Sequence, residues 1–135
     1  MMDRLYQPVL GTDLVVHAFG FDRDRPVIVL GEDGVVTARQ LHDAISRYQQ
    51  VLQSLEPRPL RAALLSKNRV EVPAVFYAFA FAGVVSTALH PMGSLQDHLK
   101  YMTAAGVRCL LVDGHGYAQR GAELAAARPD VRVLS

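Results

Sequence analysis

Asp113 follows an apolar run, Val107-Arg-Cys-Leu-Leu-Val112, that reads as a strand. A carboxylate at the carboxyl end of a strand can accept a phosphoryl group, as in a receiver domain, or cap the helix that follows. The receiver chemistry also needs an acidic pair after the first strand and a lysine after a later one. The only lysines, Lys67 and Lys100, both precede Asp113, so a polar strand end or a capping carboxylate is the better reading. Gly114-His115-Gly116, followed by Gly121, lies where a dinucleotide turn would lie, but its third glycine falls two positions late for G-x-G-x-x-G. A flexible turn explains it better, and there is no Walker-type lysine loop. The five histidines, His17, His42, His90, His98 and His115, include no i, i+4 pair of the kind that binds zinc from one helix. His90, beside Pro91 at a strand end, stands where a ligand could reach it, although a histidine satisfied by the backbone fits equally well. Cys109 falls among Leu110 and Leu111 and reads as a buried, inert thiol. No nucleophile with a matching base emerges, and Phe76, Tyr77, Phe79 and Phe81 read as one core helix.

The chain has 135 residues, half of them apolar, with 14 Lys and Arg against 13 Asp and Glu and a single cysteine. This is the profile of one globular domain with a real core. A net charge of +1 gives no excess for neutralising many phosphates, which argues against nucleic-acid binding as the main activity. One cysteine makes neither an internal disulfide nor a zinc cage, and the first residues show no apolar leader segment, so a cytoplasmic, reducing location is expected. Arginine far outnumbers lysine and alanine is abundant, as in coding from a GC-rich genome. From Val72 to Gln96 there is no charged residue, a run long enough to span a bilayer. Pro73, Gly83, His90, Pro91 and the β-branched Val84-Val85-Ser86-Thr87 instead point to a buried helix and strand, with no membrane span.

The elements that must position these residues can be read in order. Residues 1–25 carry weak signals, with a solvated turn at Asp22–Arg25. Residues 26–36 read as a hairpin around Gly31–Gly34. Thr37 and Gln40 have capping-box spacing and open a helix over 38–55, whose stripe is Leu41, Ala44, Ile45, Tyr48, Val51, Leu52 and Leu55, stopped by Pro57 and Pro59. Residues 60–135 then alternate strand and helix. Strands are expected at 60–65, 84–89, 107–112 and 131–134. A helix capped by Asn68 with Glu71 runs to Ala82, with Pro73 tolerated in its first turn. Another, capped by Ser94 with Asp97, runs to Ala105, and a third covers 117–127 after a loop at 113–116. This alternation predicts an α/β fold, a mainly parallel sheet with helices on both faces plus the N-terminal hairpin. Ligands in such sheets sit at the carboxyl ends of strands, which nominates loops 66–68, 90–93 and 113–116.

Ala63-Leu-Leu-Ser-Lys-Asn68, Glu71, Ala78 to Ala82 and Gly83-Val-Val-Ser-Thr-Ala-Leu-His-Pro91 resemble the adenylate-forming acyl-CoA synthetases, which include the fatty-acid–CoA ligases. Thr37-Ala-Arg-Gln-Leu41 and Leu95 to Val112 extend the resemblance to about residues 26–113. It implies a large ligase that uses ATP and Mg to join a carboxylic acid, for instance a fatty acid, to AMP and then to coenzyme A. Residues 1–135 would be its single N-terminal subdomain, partnered by the remainder of the same chain. The lysine loop for ATP phosphates, the ribose-binding aspartate and the lysine of the mobile C-terminal domain are absent here, so the resemblance assigns no catalytic residue and implies that this stretch alone is inactive. It assigns a coenzyme A role to two positions, Gly93 and Arg120. Met92 and Tyr117 depart from the family's first glycine and first arginine, and a solvated helix arginine remains an alternative for Arg120. Truncation predicts exposed apolar surface and, through it, a homodimer. A fatty acyl-AMP ligase, an adenylation domain and a free-standing α/β binding or receiver-like module are the rivals.

Overall fold

The computed structural model describes residues 11–135, and the start, where no leader segment is expected, lies outside the described residues. Helix α1 (Gly11–Phe21) leads into strands β1 (Pro26–Val29) and β2 (Val35–Thr37), an antiparallel hairpin turned by a short 3-10 segment at Gly31–Asp33. Helix α2 (Ala38–Ser54) opens on the expected capping box: the Gln40 N–H donates to Thr37 Oγ1 and the Thr37 N–H donates to Gln40 Oε1. Then follow β3 (Arg61–Leu65), α3 (Glu71–Phe81), β4 (Val85–Leu89), α4 (Leu95–Ala104), β5 (Cys109–Val112), α5 (Gly114–Ala127) and β6 (Arg132–Leu134).

Strands β3 to β6 form one parallel sheet in the order β4-β3-β5-β6. Side chains alternate across it. Ala62, Leu64 and Cys109 pack with Leu41, Ile45 and Leu52 of α2 and Ala74, Ala78 and Phe79 of α3. Ala63, Leu65, Leu110 and Val112 pack with Met102 of α4 and Leu124 of α5 on the other side. The sheet is thus covered on both faces and its strands read as apolar runs, the pattern expected of parallel strands. Phe79, fully buried, contributes roughly 2–3 kcal/mol of hydrophobic stabilisation. Gly83 and Gly106 take the left-handed backbone (φ +70° and +64°) that ends α3 and α4 where the sequence placed those stops.

Three expectations need correction. The weak signals of residues 1–25 predict no element, yet α1 is a helix of eleven residues. It has no buried residue, and Leu14, Val16 and Phe21 stay exposed, so it lacks the one-sided stripe that burial imposes on a sequence. Asn68 does not cap α3. The helix begins at Glu71 with Val70 in the cap position and no side-chain cap; the Val72 N–H donates to the Arg69 carbonyl, and the Glu71 carboxylate pairs with Arg69. Pro73 does fall within the first turn. Residues 113–116 are not a loop, because Asp113 caps a helix that starts at Gly114. The expected start, Tyr117, is where that helix kinks (φ −131°, ψ 15°). The uncharged run 72–96 divides between α3, β4, the turn that follows and the start of α4, and among the described residues no helix is long and apolar enough to cross a membrane.

Candidate functional site

The chain runs from β3 to β4 on one side, then returns past β3 to lay β5 on the other, with α3 on one face of the sheet and α4 on the opposite face. Strand order therefore reverses at β3, which opens a crevice at the carboxyl ends of β3 and β5. Two of the nominated loops meet there. The Asp113 N–H donates to the Leu65 carbonyl (2.9 Å), and Arg69 Nη1 lies 3.3 Å from Asp113 Oδ1 while its Nε lies 3.3 Å from Glu71 Oε2. The hydrogen bond to Glu71 and the charge of Asp113 raise the Arg69 pKa further above its already high ordinary value. Asp113, only 12% exposed, also accepts from the His115 N–H (3.1 Å), so one carboxylate both caps α5 and closes the crevice.

Beside this pair lies a cavity of about 370 Å³ walled by Tyr48, Val51, Leu64, Val75, Leu111 and Leu134, with Ser66, Arg69, Asp113 and His115 among its polar groups. Apolar walls with a polar end suit an apolar group carrying a polar head. The Ser66 hydroxyl donates to the Lys67 carbonyl (2.9 Å), which commits its proton locally. Lys67 and Asn68 are exposed. Cys109 begins β5 fully buried, and burial pushes its thiol up to about 11, so it is held as the neutral, unreactive form.

The third nominated loop, 90–93, turns to the α4/α5 face. The Gly93 N–H donates to the His90 carbonyl (2.9 Å), and the Met92 N–H donates to His90 Nδ1 (3.1 Å). Ser94 and Asp97 form a second capping box, and the bonds from the Ser94 side chain and backbone hold the Asp97 carboxyl below the usual range. Across this turn, Arg120 Nη1 donates to the Gly93 carbonyl (2.9 Å) and Arg120 Nε to Glu123 Oε2 (2.9 Å). Gly93 and Arg120, both nominated by the resemblance, are thus in direct contact, and Arg120 is tethered rather than freely solvated.

Sequence reasoning missed His98. It is 1% exposed, with Nε2 2.8 Å from the His90 carbonyl and Nδ1 3.3 Å from Arg120 Nη1. The signal was present: His98 falls between Leu95, Leu99 and Met102 at helical spacing, on the apolar stripe of α4. Gly93 is explained by the same ring, since a Cβ there would lie 2.6 Å from His98 Nε2.

A family model described as AMP-binding enzyme matches residues 16–135. The medium/long-chain-fatty-acid–CoA ligase FadD8 of Mycobacterium tuberculosis is 38% identical over 110 residues, which are 81% of this chain and 19% of that ligase. Apo MatB from Rhodopseudomonas palustris matches in fold with a TM-score of 0.74 and 21% identity, over 92% of this chain and 25% of its own. The O-succinylbenzoate coenzyme A synthetase MenE from Bacillus subtilis, in complex with AMP, matches with a TM-score of 0.73 and 22% identity, over 96% of this chain and 31% of its own. The chain spans about a fifth of the length of the curated relative.

Proposed function

The chain belongs to the AMP-binding enzyme family of adenylate-forming ligases, and we propose that residues 1–135 form the N-terminal subdomain of an acyl-CoA ligase acting on a medium- or long-chain fatty acid. In that reaction a carboxylate oxygen attacks the α-phosphorus of ATP, pyrophosphate leaves, and the thiol of coenzyme A then attacks the acyl-adenylate carbonyl and displaces AMP. The observation that carries the reading is the 38% identity to a fatty-acid–CoA ligase over most of this chain.

Activation at phosphorus needs positive charge and in-line alignment. Arg69 is already neutralised by Glu71 and Asp113, and Lys67 stands exposed on a loop, so this segment acts as scaffold and binding wall. Among the described residues no three His, Cys, Asp or Glu side chains lie close enough to hold a metal ion. On this reading magnesium and the ATP phosphates are held by residues of the ligase outside this stretch. The coenzyme A contribution falls to the Gly93 turn and Arg120. Two of the guanidinium nitrogens are engaged and Nη2 has no hydrogen bond among the described residues, which suits it to a phosphate oxygen. Exposed Phe21, Val29, Leu60 and Val85 are surface for the remainder of the ligase to cover, so the isolated segment pairs with itself. The reading places the enzyme in a bacterial cytoplasm, in keeping with the buried free thiol of Cys109 in this stretch.

The test is ATP–pyrophosphate exchange followed by thioester formation. The whole ligase exchanges with dodecanoate or palmitate and forms the thioester when coenzyme A is added, while residues 1–135 alone do neither. Exchange by the isolated segment refutes the scaffold role. Adenylate formation by the whole enzyme without thioester identifies an acyl-AMP ligase and refutes the coenzyme A step.

A further inference from the structure

We propose that His98 is a positioning residue for coenzyme A: an imidazole sealed under the 90–93 turn that holds the Arg120 guanidinium and the turn in one arrangement before the ligand arrives. The inference rests on the reading of Gly93 and Arg120 as coenzyme A contacts.

A polar ring at 1% exposure needs a partner at each nitrogen. Both partners are present, and each independently requires the same tautomer. The His90 carbonyl, 2.8 Å from Nε2, can only accept, so Nε2 carries the proton. The guanidinium of Arg120, 3.3 Å from Nδ1, can only donate, so Nδ1 offers its lone pair. A proton on Nδ1 would face a cation. Both contacts thus select one tautomer, with Nδ1 as a fixed acceptor for the arginine.

The ring also touches the turn itself. It fills the space a side chain at Gly93 would occupy, while Arg120 reaches past it to the Gly93 carbonyl at 2.9 Å. With Glu123 holding Nε at 2.9 Å, the arginine is fixed from the turn, from α4 and from its own helix. An arginine held in this way has given up its rotamer freedom in advance, so a phosphate meets a preorganised donor rather than a mobile one.

The experiment measures KM for coenzyme A, ATP and dodecanoate in the full-length ligase carrying Arg120→Ala, His98→Leu, His98→Asn or His98→Gln. Arg120→Ala and His98→Leu are expected to raise KM for coenzyme A, by about tenfold and about fivefold, with the other two KM values unchanged. Asn places an amide oxygen near the Nδ1 position and restores much of the loss. Gln reaches only toward the Nε2 end and does not. If Arg120→Ala leaves KM for coenzyme A unchanged, the coenzyme A reading fails and the inference falls with it. If Arg120→Ala raises it but His98→Leu does not, the positioning role alone is refuted. A parallel rise in all three KM values for His98→Leu, or rescue by Gln rather than Asn, also overturns it. Should His98→Leu fail to fold, the ¹⁵N signature of His98 in the unaltered enzyme decides: a protonated Nε2 with an unprotonated Nδ1 supports the role, and any other protonation pattern refutes it.

Discussion

Gly93→Ala tests the packing of the turn over His98. Gly93 does not use a left-handed backbone, so the substitution carries no φ penalty and its effect comes from space. The new methyl would lie 2.6 Å from His98 Nε2, 2.9 Å from its Cδ2 and 3.1 Å from the His90 carbonyl oxygen. The ring has nowhere to retreat without giving up its bond to that carbonyl or to Arg120. Overpacking of this kind costs about 1–3 kcal/mol. Loss of a buried hydrogen bond adds about 1 kcal/mol. The reduced freedom of the unfolded chain returns about 0.5 kcal/mol. The net expectation is a loss of about 2.5 kcal/mol, a fall in urea midpoint of about 1 M for a domain of this size. The assay is urea unfolding followed by far-ultraviolet circular dichroism, run as a double-mutant cycle with His98→Ala. With the ring removed the methyl has room, so Gly93→Ala should cost under about 0.5 kcal/mol in that background, giving a coupling of about 2 kcal/mol. Gly93→Ala that is harmless alone, or equally costly with and without the ring, refutes the assignment of this glycine to the imidazole.

Thr37→Ala removes half of the capping box of α2 and should cost about 1 kcal/mol in the same urea assay, with Thr37→Ser restoring most of it. Cys109 should react negligibly with a disulfide reagent in the folded protein at mildly alkaline pH and at once in concentrated guanidinium chloride; rapid native labelling would contradict its burial and its thiol value of about 11. Asp130 is held down to about 2, chiefly by its hydrogen bond from Arg128, with Arg108 also paired to it. Its folded value lies below the roughly 4 of an unfolded aspartate, so its stabilising contribution is present above about pH 4 and is lost as pH falls toward 2. The Tm difference between the unaltered protein and Asp130→Asn should accordingly be positive at neutral pH and vanish near pH 2; a difference independent of pH would contradict the pairing.

What could be read from the sequence was what local chemistry determines. Thr37 with Gln40 and Ser94 with Asp97 form their capping boxes because each needs only neighbours within one turn. The stripe of α2 was legible because Leu41, Ile45 and Leu52 are pressed into one core. Helix α1 escaped notice because it buries nothing fully, and the start of α3 was misplaced because a turn at Arg69–Val72 took over from Asn68. At the site, Gly93 and Arg120 could each be nominated by resemblance, but their contact is tertiary. His98 was hidden because a histidine on an apolar stripe reads as an interruption until the carbonyl and the guanidinium that satisfy it are seen.

The strand order has a kinetic consequence. β3-α3-β4 and β5-α5-β6 each close a pairing over a single helix, whereas the β3–β5 pairing that joins these halves must span α3, β4 and α4. Loop-closure entropy favours the shorter closures by about 0.6 kcal/mol, so the expected order is assembly of the halves followed by zipping of the central seam. The crevice bounded by Arg69 and Asp113 lies on that seam. It has no precursor in either half and comes into being at the step that makes the chain one body, so a substitution that slows seam formation delays the site without weakening the helices beside it.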